Sequence, residues 1–363
     1  MGYSTLLKPF SLGTETLQNR IVMPPLVIWK AGKDGRVTDD HLEHFRRSAG
    51  AGLTIVEATA VSPEGRLAAT ELGLFSDGQI PGMQQLAETI STGGSVAGIQ
   101  LNHAGGKTNT ERTYGETPLV VSRTGKTSES KRELTERDIY RILDDFAAAA
   151  GRAVTAGFRL LELHGAHGYL GAQFLSPATN HRTDGWGGSF EKRLRFLMEL
   201  VRRVRAEIGD NALLSMRLGV TDGREDGLSV TEGTRAAEIL SRAGLDLLHV
   251  SHAGGEPAPI DPDSPYSSLL QLARPVRERV GIPVIGIGGI KTPDEANSAL
   301  ENDMCDLIAV GRGILADPGW ARKSVEQRPE AIYVCRDCLP RCYHYTDPTQ
   351  CPARNELAAA EAQ

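Results

Sequence analysis

Runs of aliphatic and β-branched residues alternate with longer amphipathic stretches along almost the whole chain. The eight candidate strands are residues 20–26, 53–59, 95–101, 159–165, 213–218, 245–251, 283–289 and 305–311. Between them lie stretches with helical periodicity, as over residues 191–209, where Leu194, Leu197 and Val201 recur at three- and four-residue spacing. Eight β/α units in one direction predict an α/β fold of the (β/α)₈ barrel type. The alternative is a doubly wound open sheet, and the regularity of the eight units argues against it.

Glycines mark the points where four of these helices are expected to end. Gly52, Gly157, Gly244 and Gly281 each follow a helical stretch and precede a candidate strand. Glycine adopts the left-handed conformation that closes a helix at little steric cost. We therefore expect these four glycines to be C-terminal caps.

Length and composition set the class of protein. The 363 residues suit one barrel over residues 1–328, followed by a Cys-rich extension over residues 329–363. No apolar run approaches the roughly 18 residues that a membrane span needs, and a net charge of −6 argues against a nucleic-acid partner. The first residues, MGYSTLLKPFSLG, lack the pattern of a signal peptide, so a cytoplasmic location is expected. The oligomeric state, including a homo-oligomer, stays open.

The fourth candidate strand is followed by two imidazoles and a phenol. His164, His167 and Tyr169 lie within six residues, with small residues between the two histidines. Residues just past the carboxyl ends of barrel strands line the active site. Such a set can bind an oxyanion or a carbonyl and supply a proton. A metal site and a loop without function are the alternatives, and no carboxylate stands nearby as a third metal ligand.

Glycines follow the seventh and eighth strands. Gly288 and Gly289 end one strand, and Gly311 and Arg312 end the next. The loops after strands seven and eight are the usual phosphate site of such barrels, because glycine lets backbone amides approach the anion and arginine binds it with two donors. This pairing predicts a phosphorylated ligand.

Polar residues also end strands three, five and six. Gln100 and His103 end strand three, Arg217 ends strand five, and His252 follows strand six. An amide and a guanidinium that face a barrel mouth suit a planar ring with alternating donors and acceptors. Together with the phosphate site, they predict a phosphorylated heterocycle as the ligand.

These motifs resemble those of the Old Yellow Enzyme family of FMN-dependent oxidoreductases. The resemblance covers about residues 5–323, including LKPFSLGTETLQNRIVMPPL, VEATAVSPEGR, GIQLNHAGGK, HGAHGYLGAQFLSPATNHRTDGWGGSFEKRLRF, GIGGI and VGRGILADP. It implies an enzyme that reduces the activated C=C bond of a small unsaturated substrate. It also implies an FMN site formed by Pro24, Pro25, Leu26, Ala58, Gln100, Arg217, Gly288, Gly289, Gly311 and Arg312.

The same resemblance implies catalytic roles. His164 and His167 would hold the electron-withdrawing oxygen of the substrate, and Tyr169 would protonate the carbon next to the activating group. His252 stands where one branch of the family has a histidine that acts with the tyrosine, which implies a Tyr169–His252 pair. The opposing hypothesis for His252 is a loop histidine in the pocket wall.

Four cysteines fall within 17 residues near the C-terminus: Cys335, Cys338, Cys342 and Cys351. In a reducing compartment, clustered cysteines bind metal more often than they form disulfides. Their C-x2-C-x3-C spacing resembles the [4Fe–4S] site of the branch that includes 2,4-dienoyl-CoA reductase and trimethylamine dehydrogenase, although the last gap is shorter here. A four-Cys zinc site and uncoordinated thiols remain open.

The presence of a cluster would decide the reductant. Because an iron–sulfur cluster relays single electrons, it predicts an electron-donor protein such as a ferredoxin, an electron-transferring flavoprotein or a reductase subunit. Without a cluster, NAD(P)H is expected to reduce FMN directly. Two other functions stay open: a flavin-dependent amine dehydrogenase or demethylase, and a flavin-free phosphate-binding lyase or isomerase. The second is disfavoured by the expectation that no lysine stands at a strand end for Schiff-base chemistry.

Overall fold

The computed structural model describes residues 2–124, 129–339, 342–345 and 347–362, and its central feature is a closed parallel barrel. We number the strands β1 Ile21–Met23, β2 Leu53–Ala60, β3 Val96–Asn102, β4 Leu160–Gly165, β5 Leu213–Gly219, β6 Leu247–Ser251, β7 Val284–Ile287 and β8 Leu307–Ala309. Neighbours in sequence pair in parallel, and β1 pairs with both β2 and β8, which closes the barrel. The predicted (β/α)₈ barrel is confirmed.

Helices lie outside the strands. The main ones are α1 Asp39–Arg47, α2 Ile80–Thr92, α3 Glu136–Thr155, α4 Phe190–Ile208, α5 Val230–Ser241, α6 Ala273–Arg277, α7 Pro293–Glu301, α8 Trp320–Val325 and α9 Pro352–Glu361. Short helices at Leu170–Leu175, Ser268–Gln271 and Arg312–Ala316 sit in the loops after β4, β6 and β8. In the part of the chain that the structure describes, no helix is both long and apolar enough to cross a membrane.

Smaller elements complete the fold. Phe10–Leu12 and Glu15–Leu17 form an antiparallel hairpin before β1. Two-residue strands lie at Leu72–Gly73, Leu119–Val120 and Arg132–Glu133, and 3-10 turns at Pro63–Gly65, Asp77–Gln79, Gly105–Lys107, Pro329–Ala331, Tyr343–Tyr345 and Pro348–Gln350.

The barrel interior is a separate apolar cluster with the N-terminal hairpin as its floor. Leu12 and Leu17 of the hairpin pack with inward side chains of the strands, among them Val22, Ile55 and Leu213. A second, larger cluster joins the outer faces of the strands to the helices. Because the floor is closed, the barrel is accessible to ligands only at the carboxyl ends of its strands.

The amphipathic pattern of α4 is confirmed, since Leu194, Leu197 and Val201 are all buried. The glycine predictions divide. Gly157 and Gly244 have positive φ values of 93° and 119°, as expected for caps, but Gly52 and Gly281 do not adopt a positive φ. At Gly52 a side chain is excluded for another reason, because a Cβ there would lie 2.2 Å from the carbonyl oxygen of Asn19.

Candidate active site

A cavity of about 720 Å³ opens at the carboxyl ends of the barrel strands. A cavity of this size accommodates a cofactor or drug-sized ligand. The structure brings all the predicted flavin and substrate residues to its walls: Pro24, Pro25, Leu26, Ala58, Gln100, His164, His167, Tyr169, Arg217, His252, Gly288, Gly289, Gly311 and Arg312. The residues named from the strand ends and from the family resemblance thus line one cavity.

One end of the cavity is a glycine-lined cradle beside two cations. Gly288 and Gly289 have φ values of 132° and 73°, which favour glycine. A Cβ at Gly288 would lie 2.7 Å from the hydroxyl of Ser267, so a larger residue would distort this turn. Arg312 and Lys291 both line this end. Exposed backbone amides and two cations form a suitable site for a phosphate.

Both cations form ion pairs with one carboxylate from the Cys-rich segment. Nη1 of Arg312 lies 2.7 Å from Oδ1 of Asp337, and Lys291 contacts the other carboxylate oxygen. The Lys291–Asp337 hydrogen bond raises the pKa of Lys291. Asp337 lines the same cavity and has a positive φ of 48°. Neither Lys291, which lies in the loop after β7, nor Asp337 was identified from the sequence.

A buried polar network lies below the middle of the cavity. Nε2 of Gln100 donates to Oε1 of Glu162 at 2.8 Å, and Nδ1 of His249 lies 2.8 Å from Oε2 of the same carboxylate. Glu162 and His249 are fully buried, on β4 and β6. The carboxylate fixes the amide group of Gln100, so that its oxygen is left to accept a bond from a ligand.

Four rings form the other end of the cavity. The ring centre of His164 lies 5.0 Å from that of His167 and 4.8 Å from that of Tyr169. The ring of His252 lies 4.9 Å from His167, which therefore stands next to both His252 and His164. His167 and Gly168 have φ values of 57° and 69°, and this left-handed turn directs the two histidines toward each other.

A hydrogen-bonded chain orients the two histidines. Nε2 of His164 lies 2.8 Å from Nδ1 of His167, and Nε2 of His167 lies 2.8 Å from the hydroxyl of Ser251. Nδ1 of His164 is buried without a hydrogen-bond partner among the described residues. If Ser251 donates to His167, the His167 proton is placed on Nδ1, on the side that faces His164.

Burial keeps this pair neutral. Burial, with a smaller contribution from the nearby charge of Arg217, lowers the pKa of His164 and of His167 well below the usual range. Burial and Arg217 also lower the pKa of His252. Neutral imidazoles donate one hydrogen bond each without carrying a charge, which suits polarisation of a carbonyl oxygen.

A lysine that the sequence analysis did not single out stands above these rings. Nζ of Lys107 donates to the backbone oxygen of His167 at 2.7 Å and lies 5.4 Å from the ring centre of Tyr169. Burial lowers the pKa of Lys107. Lys107 is the last residue of the GIQLNHAGGK motif that follows β3, and this position after a strand was the signal in the sequence that could have identified it. His103, from the same motif, is buried away from the cavity against Gly65.

In the loop after β1, both polar groups of the peptide bond between Val27 and Ile28 have a side-chain partner. The amide of Ile28 donates to Oε2 of Glu57 at 2.5 Å, and Nε2 of His344 lies 2.9 Å from the carbonyl oxygen of Val27. Glu57 is buried beside His41, with 3.2 Å between Oε1 and Nε2. Val27 and the adjacent Trp29 line the cavity. The Cys-rich segment thus touches the loop that forms the cavity wall.

The four clustered cysteines share a small cavity. Cys335, Cys338, Cys342 and Cys351 all line it, and each of these residues is partly buried. Cys335 and Arg312 line this cavity and the large one, so the two adjoin. Among the described residues, no group of three or more His, Cys, Asp or Glu side chains forms a set that could hold a metal ion. The iron–sulfur cluster therefore stays a prediction.

The fifth cysteine is separate from this group. Cys305 is buried between β7 and β8, and a Cβ at Gly286 would lie 2.8 Å from its sulfur. Burial raises the pKa of the Cys305 thiol to about 12. Cys305 is therefore a small apolar residue of the core.

The sequence model of the NADH:flavin oxidoreductase / NADH oxidase family matches residues 5–331. An NADPH dehydrogenase of Bacillus velezensis is 38% identical over 326 residues, which cover 89% of this chain and 94% of that protein. An NADH oxidase of Thermoanaerobacter brockii is 36% identical over 348 residues, but the match covers 94% of this chain and only 54% of the oxidase.

Solved structures give the same grouping. The complex of 2-naphthoyl-CoA reductase with 2-naphthoyl-CoA superposes with a TM-score of 0.87 at 28% identity, covering 94% of this chain and 55% of that one. Histamine dehydrogenase from Rhizobium sp. 4-9 superposes with a TM-score of 0.80 at 30% identity, covering 92% and 49%. The chain thus spans about half the length of several proteins that it matches.

Proposed function

Because the chain belongs to the NADH:flavin oxidoreductase / NADH oxidase family and is an FMN oxidoreductase of the Old Yellow Enzyme type, we propose that it is an ene-reductase. Its substrates are activated C=C bonds of α,β-unsaturated carbonyl or enoyl compounds. The observation that carries the proposal is the ring group of His164, His167, Tyr169 and His252 in the same cavity as the glycine cradle.

The residues present fit FMN. Gly288 and Gly289 line the cavity in a turn where a Cβ would press on Ser267, and Arg312 supplies a guanidinium for a phosphate beside them. Gln100 and Arg217 line the same cavity, and an amide oxygen and a guanidinium suit a planar ring with donors and acceptors. FMN, when bound, supplies the hydride that reduces the β carbon of the substrate. An arginine beside the ring stabilises the negative charge of a reduced flavin.

His164 and His167 hold the oxygen of the substrate. The mutual bond between their facing nitrogens, 2.8 Å apart, opens when a carbonyl oxygen enters between them. While the two rings are bonded to each other, one facing nitrogen donates and the other accepts. With an oxygen between them, a proton on Nδ1 of His167, which a Ser251 hydroxyl donating to Nε2 favours, and a proton on Nε2 of His164 both point at that oxygen. Both rings then donate to one oxygen and stabilise the enolate charge that develops during reduction.

Tyr169 is the proton donor to the carbon next to the activating group. Its ring packs against His164, which places the phenol beside the residue that holds the substrate oxygen. Lys107, 5.4 Å from the ring centre, places a positive charge near a phenolate and favours release of the proton. The ring of His252 packs against His167, so we assign His252 to the pocket wall beside that histidine.

The test is anaerobic reduction of 2-cyclohexenone by the flavin-loaded protein. In Tyr169→Phe, reduction of the flavin should be unchanged, while reoxidation by cyclohexenone should slow about 10²- to 10⁴-fold, as expected for loss of a general acid. An unsaturated carbonyl that fails to reoxidise the reduced wild-type flavin would contradict the proposal. Tyr266→Phe serves as the matched control, because it removes a phenol hydroxyl that contacts Ser298 on α7, outside the flavin cavity.

The Cys-rich segment supports a [4Fe–4S] cluster as part of this proposal. Four thiols around one cavity match the ligands of such a cluster. The C-x2-C-x3-C spacing resembles that of iron–sulfur relatives, and this resemblance favours a cluster over a four-Cys zinc site. Iron, sulfide and zinc assays on anaerobically purified protein distinguish them, with about four irons and four sulfides per chain expected.

The reductant depends on that result. NAD(P)H is the first candidate, because relatives of similar length are named NADPH dehydrogenase. A cluster whose cavity shares Cys335 and Arg312 with the flavin cavity would also permit one-electron donors. Stopped-flow reduction of FMN by NADPH, NADH and a reduced ferredoxin separates these routes.

The second candidate is an amine dehydrogenase or demethylase, favoured by the likeness to histamine dehydrogenase. Bleaching of the flavin by an amine, with no reoxidation by cyclohexenone, would support it over the ene-reductase. The flavin-free lyase or isomerase is excluded because the family is one of flavin oxidoreductases.

A further inference from the structure

A second cavity, of about 410 Å³, lies beside the flavin cavity, and we call it the lateral cavity. The loop after β1 lines it with Lys33 and Arg36, and the loop after β2 lines it with Arg66. The same two loops line the flavin cavity through Trp29 and Leu67. A ligand whose reacting end lies over the flavin can therefore extend along these loops into the lateral cavity.

Arg66 is an unusual residue for a cavity wall. Only 3% of it is exposed, and its Nε is buried with no hydrogen-bond partner in the part of the chain that the structure describes. The guanidinium carbon lies 5.1 Å from the ring centre of Phe75 and 5.3 Å from that of Tyr114. The two rings hold the guanidinium by cation–π contacts, which use none of its hydrogen-bond donors.

No carboxylate among the described residues forms an ion pair with Arg66. The buried Glu71 is close by, but its oxygens accept from the amide of Leu67 and from the side chain of Asn102. Burial raises the pKa of Glu71 to about 8, so this group is protonated at neutral pH. A buried cation that forms no ion pair is costly, which points to an anion that binds there.

The rest of the lateral cavity matches the other parts of a nucleotide. Nζ of Lys33 lies 5.0 Å from the ring centre of Tyr114 and adds a second cation. Tyr114 is 42% exposed and is fixed by a 3.0 Å bond from its hydroxyl to the backbone oxygen of Ala69. An exposed, fixed aromatic ring suits stacking of a base. Arg36 is paired with Asp34 at 3.0 Å, and Glu116 also lines the cavity, so its three cations outnumber its two carboxylates.

We propose that the lateral cavity binds the phosphorylated adenosine of a nucleotide, with its ribose phosphomonoester on Arg66 and Lys33 and its adenine against Tyr114. Two nucleotides that suit the proposed function carry this group. NADPH has the phosphate on the ribose 2′ position, and a coenzyme A thioester has it on the 3′ position. The inference rests on the proposed function only in naming NADPH and a coenzyme A thioester as the nucleotides that would bind.

The test is calorimetric titration of the flavin-loaded full chain with 2′,5′-ADP, 3′,5′-ADP and 5′-AMP. At least one bisphosphate should bind about tenfold tighter than 5′-AMP, because the added phosphate gains charge-assisted hydrogen bonds. Preference for 2′,5′-ADP identifies the reductant as the occupant, and preference for 3′,5′-ADP identifies an acyl-CoA substrate. Equal tightening by both supports a site that serves either nucleotide.

Two variants locate the phosphate. Arg66→Gln should weaken binding of the preferred bisphosphate about tenfold or more and change 5′-AMP binding little. Lys33→Gln, at an exposed position that folding does not need, should weaken it about threefold. Arg235→Gln is the matched control, because Arg235 also stands over an aromatic ring, 4.5 Å from the centre of Phe190, but lies on α5 away from the cavity.

Equal affinity for 5′-AMP and both bisphosphates would overturn the proposal, as would bisphosphate binding that survives Lys33→Gln and Arg66→Gln unchanged. If Arg66→Gln does not fold, Lys33→Gln alone decides. Reduction of cyclohexenone with NADH is measured on the same preparation. Its persistence without bisphosphate binding overturns this inference alone, and its absence with binding intact overturns the proposed function alone.

Discussion

The mouth of the barrel and the Cys-rich segment differ in how far their geometry is fixed before a ligand or metal binds. At the mouth, partners fix the polar side chains before any ligand binds: Ser251 orients His167, and Glu162 orients Gln100. In the Cys-rich segment, four thiols line one cavity, yet no ion site is formed among the described residues. A barrel positions its mouth by strand pairing, whereas a thiolate site takes its final geometry from the metal.

Two contacts join these regions. His344 lies 2.9 Å from the carbonyl oxygen of Val27, in the wall of the flavin cavity, and Asp337 forms ion pairs with Arg312 and Lys291. Each contact joins a residue of the Cys-rich segment to a residue of the barrel. Cys335 also lines both cavities, so changes in the segment can reach the mouth through Cys335, Asp337 and His344.

The largest effect is expected at the mouth. Replacing both His164 and His167 with Ala removes two donors to the substrate oxygen and should slow reoxidation of the reduced flavin by cyclohexenone about 10²- to 10³-fold. Flavin content and metal content should not change, because neither side chain touches the cradle or the thiols. Stopped-flow absorbance measures the rate. His181→Ala, at an exposed position outside the cavity, is the control.

The next effect is expected in the segment. Cys338→Ala should lower bound metal at least about tenfold, since a cluster needs all its thiolates. Flavin binding and the melting temperature should change little, because Cys338 is outside the apolar core. Metal assays and thermal unfolding are made on the same sample. Cys305→Ala should keep its metal, and full metal retention in Cys338→Ala would show that this thiol is not a ligand.

The difference between the barrel mouth and the Cys-rich segment also explains which site residues could be predicted from the sequence. The strand-end rule brought residues as distant as Gln100 and Arg312 to one cavity, because parallel strands fix where their ends meet, whereas Pro24 was named only through the family resemblance. It failed for His103, which follows β3 but turns behind the loop toward Gly65. Asp337 and its cations were out of reach because their contacts depend on how a segment without regular structure folds back over the barrel.

A third prediction concerns acid. Burial lowers the pKa of His103 to about 4, against about 6.5 for an unfolded histidine. The unfolded chain thus binds more protons between these values, so stability is complete above pH 6.5 and falls as the pH drops toward 4. Each such histidine contributes at most about 1.4 kcal/mol per pH unit. Urea unfolding at several pH values gives the free energy of unfolding, which should fall less steeply with decreasing pH in His103→Gln. An unchanged pH dependence would show that His103 is not the cause.

The smallest effect tests the link between the two regions. Asp337 holds the two cations that a flavin phosphate would use, and its carboxylate would repel that phosphate. Asp337→Asn should therefore tighten FMN binding about threefold, as expected for a partly exposed ion pair. Quenching of flavin fluorescence on binding to the flavin-free protein gives the affinity. Glu356→Gln is the control, because it breaks an ion pair with Arg336 in the same segment outside the flavin cavity. Weaker FMN binding in Asp337→Asn would mean that the carboxylate positions Arg312 and Lys291 for the phosphate. The barrel mouth would then depend on the Cys-rich segment for its geometry.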